Sequence, residues 1–245
     1  MPRADRVSLS QEGLAIPPVD HLSNRSVTNI LLDRAFSGVP AGIPPDRILV
    51  GLFVNFARLT DKALREYDAA RTELLAYVAP GTSLQTSRYL RAIDHMENCI
   101  SALHRTVLNA RALRENKIGR AGPRLTERQE RRLAYSRNAI EHADEKLTGT
   151  SKIKNFGRTD PFSLRLANTS TVIGDNVLTY QEIVSAMSKC HNNIEIIRGV
   201  PTGEPGPSFP NATLRTNPGT PANSNTTLRA STYLKELSRL TVTHS

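Results

Sequence analysis

The stretch "ILVGLFVNFARLTDKALREYDAARTELLAYV", residues 48–78, decides the fold. Ile48, Leu49, Leu52, Phe53, Phe56, Leu59, Ala63, Leu64, Tyr67, Leu74, Leu75 and Val78 recur at three- and four-residue steps. That period predicts one long amphipathic helix. Pro45 suits a first helical turn, Asp46 puts negative charge at the helix start, and "APGT" (79–82) stops it. A helix with such a stripe needs an apolar partner. "IGRAGPR" (118–124) ends the obvious one, which is predicted over 82–116 with Leu84, Leu90, Ile93, Met96, Ile100, Leu103, Val107 and Leu113 on its inner face.

A third helix is predicted to start at "LTERQ" (125–129), capped by Thr126, with Leu125 and Leu133 on its face, and to end near "LTGT" (147–150). The period then changes. "PFSLRLANTSTVIGDNVLTY" (161–180) alternates like a hairpin: Leu164 and Leu166 lie on one arm, Val172 and Ile173 lie past the turn, and Gly174-Asp175-Asn176 forms another tight connection. A last helix carries Ile183, Met187, Cys190, Ile194 and Ile197 and stops at Gly199. The expected fold is all-α: an antiparallel helical bundle over 45–199, with a small β-hairpin before its last core helix. Residues 1–44 read as a Pro-containing surface arm with a short helix at 22–36. Residues 200–245 read as a Pro/Gly/Asn/Thr-rich, mostly disordered tail with a weak helix at 231–240.

Composition narrows the function. Hydrophobic residues make up 38% of the chain and aromatics 5%, with no Trp, so sizeable parts are expected outside the core. The net charge is +9, and residues 101–160 contribute +7 of it, with 14 Lys/Arg against 7 Asp/Glu. A local basic field suits a polyanion, nucleic acid above all; the competing reading is a solvated helix surface. Eight of these 14 cations lie just ahead of residue 134: Arg111, Arg114, Lys117, Arg120, Arg124, Arg128, Arg131 and Arg132. Cys99 and Cys190 stand far apart, which argues against a disulfide framework and against a zinc site. No metal or cofactor is expected. The first residues lack an apolar signal region and no apolar run approaches a membrane span, so a cytoplasmic protein is expected, with no membrane partner.

"AYSRNAIEHADEKL" (134–147) follows the basic cluster. At about 100° per residue, Arg137 shares a stripe with Leu133, Ile140, Asp144 and Leu147, the face expected to be dry. A guanidinium there needs a carboxylate or phosphate oxygens. Glu97 on the second helix is one candidate. Glu141, one turn along, is the plainer one. Arg137 and His142 diverge by about 140°, whereas Asn138 and His142 stand together at i and i+4.

"RNAIEH" resembles the Arg-polar-x3-His signature of HEPN proteins, all-helical nucleotide- and RNA-associated domains, which favour a residue like Asn138 after the Arg. The preceding "YLRAIDHMENCISALHRTVLNAR" and the hairpin plus helix afterwards are similar in layout to a bacterial branch of that family. The looser spacings "RYLRAIDH" (88–95) and "RLTVTH" (239–244) carry Tyr and Leu in the polar slot. The resemblance implies a metal-independent endoribonuclease, or toxin-like RNA-targeting protein, with a defence role. Arg137 would stabilise phosphorane charge, Asn138 would orient His142 or bind a phosphate oxygen, and His142 would be general acid or base. Two copies would build the site at a twofold interface, making a homodimer. An antitoxin or a nucleotidyltransferase is the further partner the family admits. Asp144 stands where many toxin-type motifs have Tyr, and with Glu141 and Glu145 it would repel RNA and keep His142 protonated. Such a site is either a tuned acid or part of a helical module that binds RNA, nucleotide or protein without cutting. An unrelated helical protein with a chance Arg–His spacing is the third reading.

Overall fold

The structure, a computed structural model, describes residues 9–22, 26–37, 42–80, 85–142, 164–173 and 176–199. The expected tail, the helix at 231–240, Leu84, Asp144, Glu145, Leu147 and the Gly174-Asp175 connection lie outside the described residues.

Among the described residues the chain is mostly helical. The helices are α1 (Ser26–Ser37), α2 (Arg47–Val78), α3 (Thr86–Glu115), α4 (Glu127–Glu141) and α5 (Tyr180–Arg198). The strands are β1 (Arg165–Leu166), β2 (Ser170–Ile173) and β3 (Asn176–Thr179). They form an antiparallel sheet in the order β1-β2-β3, so the expected hairpin has a third strand. In its register Leu166 pairs with Thr171 and Thr171 with Leu178. No helix among the described residues is long and apolar enough to cross a membrane.

Asp46 proves to be the N-cap of α2, accepting from the Ile48 and Leu49 amides at 2.7 and 3.0 Å, so Pro45 lies just outside the helix. The stripe predicted for α2 is buried from Phe53 to Leu74, but its first residue, Ile48, is 79% exposed and Leu75 is also exposed. Against it lies α3, with Ile93, Met96, Ile100, Leu103, Val107 and Leu113 buried and Leu90 at the edge. This α2–α3 pair is the spine of the domain. Thr179 and Glu182 make a capping box for α5, and Gly199 ends α5 in the left-handed conformation at φ 77°.

The N-terminal segment contributes to the core instead of lying on it. Ile16, Val19, Ile30 and Ile43 are buried with the bundle residues. Tyr67 donates its hydroxyl to the Pro17 carbonyl at 3.1 Å, and Arg71 Nε donates to Ile16 O at 3.3 Å. Buried Asp61 of α2 accepts from the Ser26 and Val27 amides at 3.1 and 3.0 Å, satisfying the open N-terminus of α1 from another helix. These apolar residues are scattered among prolines, so no helical or strand period reveals them.

Candidate nucleic-acid interface

The connection between α3 and α4 is tightly specified. Lys117, at φ 67°, takes the left-handed position after the Asn116 C-cap. The Ile118 amide reaches back to Leu113 O at 3.0 Å and the Lys117 amide to Arg114 O at 2.9 Å. This is a Schellman closure, sealed by buried Ile118 and Leu113. Gly119 is also left-handed, at φ 63°. A Cβ on Gly122 would collide with the Asn193 carboxamide. Asn193, buried on α5, donates Nδ2 to Pro123 O at 2.7 Å and to Lys189 O at 3.0 Å. At the far end Thr126 and Gln129 form a capping box on α4, and Lys189 Nζ donates to Gln129 Oε1 at 3.2 Å. The backbone from 116 to 129 is thus held at both ends and in the middle.

The eight predicted cations divide into two sets. Arg111 pairs with Glu115, Arg114 with Glu130, Arg131 with Glu127 and Arg132 with Glu182. Arg111 and Arg131 are exposed i,i+4 pairs that do little for stability. Arg132 is half-buried; it also donates to Asn176 Oδ1, and with Glu182 it ties α4 to β3 and α5. Lys117, Arg120, Arg124 and Arg128 are exposed, with no carboxylate partner among the described residues. All four lie on the fixed connection or the first turn of α4.

The motif end of α4 departs from expectation in two respects, and of the two carboxylates considered for Arg137 it has the plainer one. The helix stops at Glu141, and His142 is its C-cap, with its amide donating to Asn138 O at 3.1 Å. The buried face is Leu133, Ser136 and Ala139, with Ile140 half-buried, so Arg137 flanks the dry stripe instead of lying within it. The carboxylate on Arg137 is Glu141, one turn along the same helix, in place of Glu97. Asn138 accepts at its Oδ1 from Arg137 Nη1 at 3.2 Å. Ser136 and Ala139 are small, so α4 packs closely there, and Asn176 Nδ2 donates to Ser136 Oγ at 2.7 Å. A stripe drawn through large apolar residues alone puts this face one position off.

A residue the sequence did not single out joins Arg137 from the neighbouring helix. His104 of α3 has its Nδ1 buried without a hydrogen-bond partner, and Arg137 has its Nε buried in the same state. Burial, and then the Arg137 charge, lower the His104 pKa below the ordinary histidine value, with Glu141 opposing. The spacing of His104 within α3, away from any acid–base motif, carried no signal. The remaining groups are structural. His95 Nδ1 meets Glu66 Oε2 at 2.8 Å. Cys99 and Cys190 are free and buried, and burial pushes the Cys190 thiol up to about 12. Among the described residues no three His, Cys, Asp or Glu side chains converge as a metal site.

No family model, no curated protein and no solved structure matches this chain.

Proposed function

We propose that the chain is a HEPN-like helical module that binds RNA by its phosphate backbone along the α3–α4 connection. One observation carries the reading: Lys117, Arg120, Arg124 and Arg128 are exposed without carboxylates on a backbone fixed by Asn193, Gly122 and the Schellman closure. Phosphate contacts need cations not neutralised by carboxylates; Arg120 Nε donates only to the neutral Arg114 carbonyl, at 3.4 Å, and a fixed backbone lowers the ordering cost of binding. The line of charge continues toward the Arg137–Asn138 end of α4, where among the described residues Arg137 is tied to two neighbours on its own helix. An RNA phosphate competes with the Glu141 carboxylate for that guanidinium.

The same end favours a second reading, a metal-independent endoribonuclease completed by another copy. His142 at the α4 terminus and Arg137 one turn before it would then come together across a twofold axis. A single experiment separates the two. RNA binding is measured over a salt series in EDTA, for the wild type and for a variant with Lys117, Arg120, Arg124 and Arg128 all changed to Gln. The slope of log K against log salt should fall by about 3 for single-stranded RNA, from ~0.7 per lost phosphate contact. An unchanged slope sinks the interface. Cyclic-phosphate ends in the same reactions, absent in His142→Ala, establish the nuclease; intact RNA leaves the binding module.

A further inference from the structure

Two orphaned atoms, one on each of the packed helices α3 and α4, are chemically complementary, and the Arg137 charge is near enough to act on His104. Arg137 Nε–H is a buried donor and His104 Nδ1 a buried atom with no partner. An imidazole protonated on Nε2 alone offers Nδ1 as an acceptor. Each atom left alone costs free energy, and more so for the charged guanidinium. The other two nitrogens of Arg137 are already engaged, Nη1 with Asn138 and Nη2 with Glu141. We infer that the His104 imidazole accepts from Arg137 Nε, through a small rotation or one bridging water, and so fixes the plane in which Arg137 presents its Nη groups to an anion. His104 is a positioning residue. This role in RNA recognition rests on the reading above; the contact itself does not.

The state of His104 follows from its surroundings. Among the described residues the charges acting on it are Arg137 and Glu141, both on α4, and burial outweighs them in keeping it neutral. Protonation would turn Nδ1 into a donor and set a second positive charge beside the guanidinium. The contact is therefore complete above the ordinary histidine pKa of 6.5 and is lost as pH falls through the lower value that His104 takes in the fold.

The test reads the contact directly by nitrogen-resolved NMR of the arginine Nε–H groups in the full chain. The Arg137 resonance is assigned by its loss in Arg137→Lys. Its exchange with water should quicken about five- to tenfold in His104→Leu, the worth of roughly one hydrogen bond, and return toward wild type in His104→Gln, whose amide oxygen also accepts. In the wild type the same resonance should move with His104 protonation, at a pH below 6.5. Wild-type exchange in a folded His104→Leu, or a His104 that titrates at or above 6.5, overturns the inference. Should His104→Leu not fold, the wild-type titration still decides. RNA affinity is measured alongside: a changed Nε–H signal with no RNA binding keeps the contact and removes the RNA reading.

Discussion

The α2–α3 pair and the α4 helix are held by different balances: the first centres on an apolar core with ion pairs beside it, Glu73 to Arg88 and Arg91 and Glu66 to His95, and the second depends mainly on polar contacts. In the apolar core Phe53, Phe56, Tyr67 and Leu74 of α2 and Met96, Ile100 and Leu103 of α3 are all fully buried in one cluster. Such a core has no preferred partner atoms; its position is set by area removed from water and by packing. Helix α4 buries only Leu133, Ser136 and Ala139. It is located by directed contacts: Arg132 to Glu182, Asn176 to Ser136 and to Arg132 O, Lys189 to Gln129, and its own capping box. The difference teaches where function can reside. A polar-tethered helix presents charge at defined points and answers to ligands, salt and pH. An apolar core resists all three, and the spine answers to salt and pH only through the ion pairs beside it.

The comparison predicts a hierarchy of damage. Phe56→Ala leaves a cavity in the spine and should cost about 3–5 kcal/mol in a urea melt. The loss should be the same at low and high salt. A cost under about 1 kcal/mol would mean that the α2–α3 interface is not the stabilising centre.

Glu182→Ala tests the tether. Glu182 holds Arg132 of α4 and accepts from both the amide and hydroxyl of Thr179 at 2.9 Å, so one substitution removes an ion pair and half a capping box. The expected cost is about 1–3 kcal/mol. A double-mutant cycle with Arg132→Met isolates the pair, with a coupling of about 1 kcal/mol that shrinks in salt. Zero coupling would leave α4 held by its short apolar face alone.

The same contrast explains what the sequence disclosed. The spine was legible because large apolar residues at a steady period suffice to specify it: the α2, α3 and α5 stripes lie buried nearly as read. Ile48 fails because burial needs a facing element, and the first turn of α2 has none over that side chain. The α4 face was misphased because Ser136 and Ala139 are buried by close approach, which hydrophobicity does not register. The eight cations were visible as a cluster. Of the four pairings, Arg111–Glu115 and Arg131–Glu127 are local i,i+4 spacings, whereas Arg114–Glu130 and Arg132–Glu182 need carboxylates brought from α4 and α5 by tertiary structure. His104 was invisible for the same reason: its relation to Arg137 exists only once α3 and α4 pack.

The finest test lies at Lys117. A non-glycine residue at φ 67° carries strain of about 1 kcal/mol, and the Schellman position it occupies is one that glycine fills without that cost. If the connection were only a turn, glycine would serve better there. Lys117→Gly should therefore raise stability by up to about 1 kcal/mol in the melt that reports Phe56→Ala, since relief of strain exceeds the extra freedom given to the unfolded chain. RNA affinity should fall at the same time, with the salt slope reduced by about 0.7, one phosphate contact. A gain in stability with no loss of RNA binding would make Lys117 an ordinary capping residue and reduce the interface to Arg120, Arg124 and Arg128. Opposite signs for the two readouts would show that strain at the turn is retained for the cation it presents, which is the relation expected where a binding surface is built on a rigid connection.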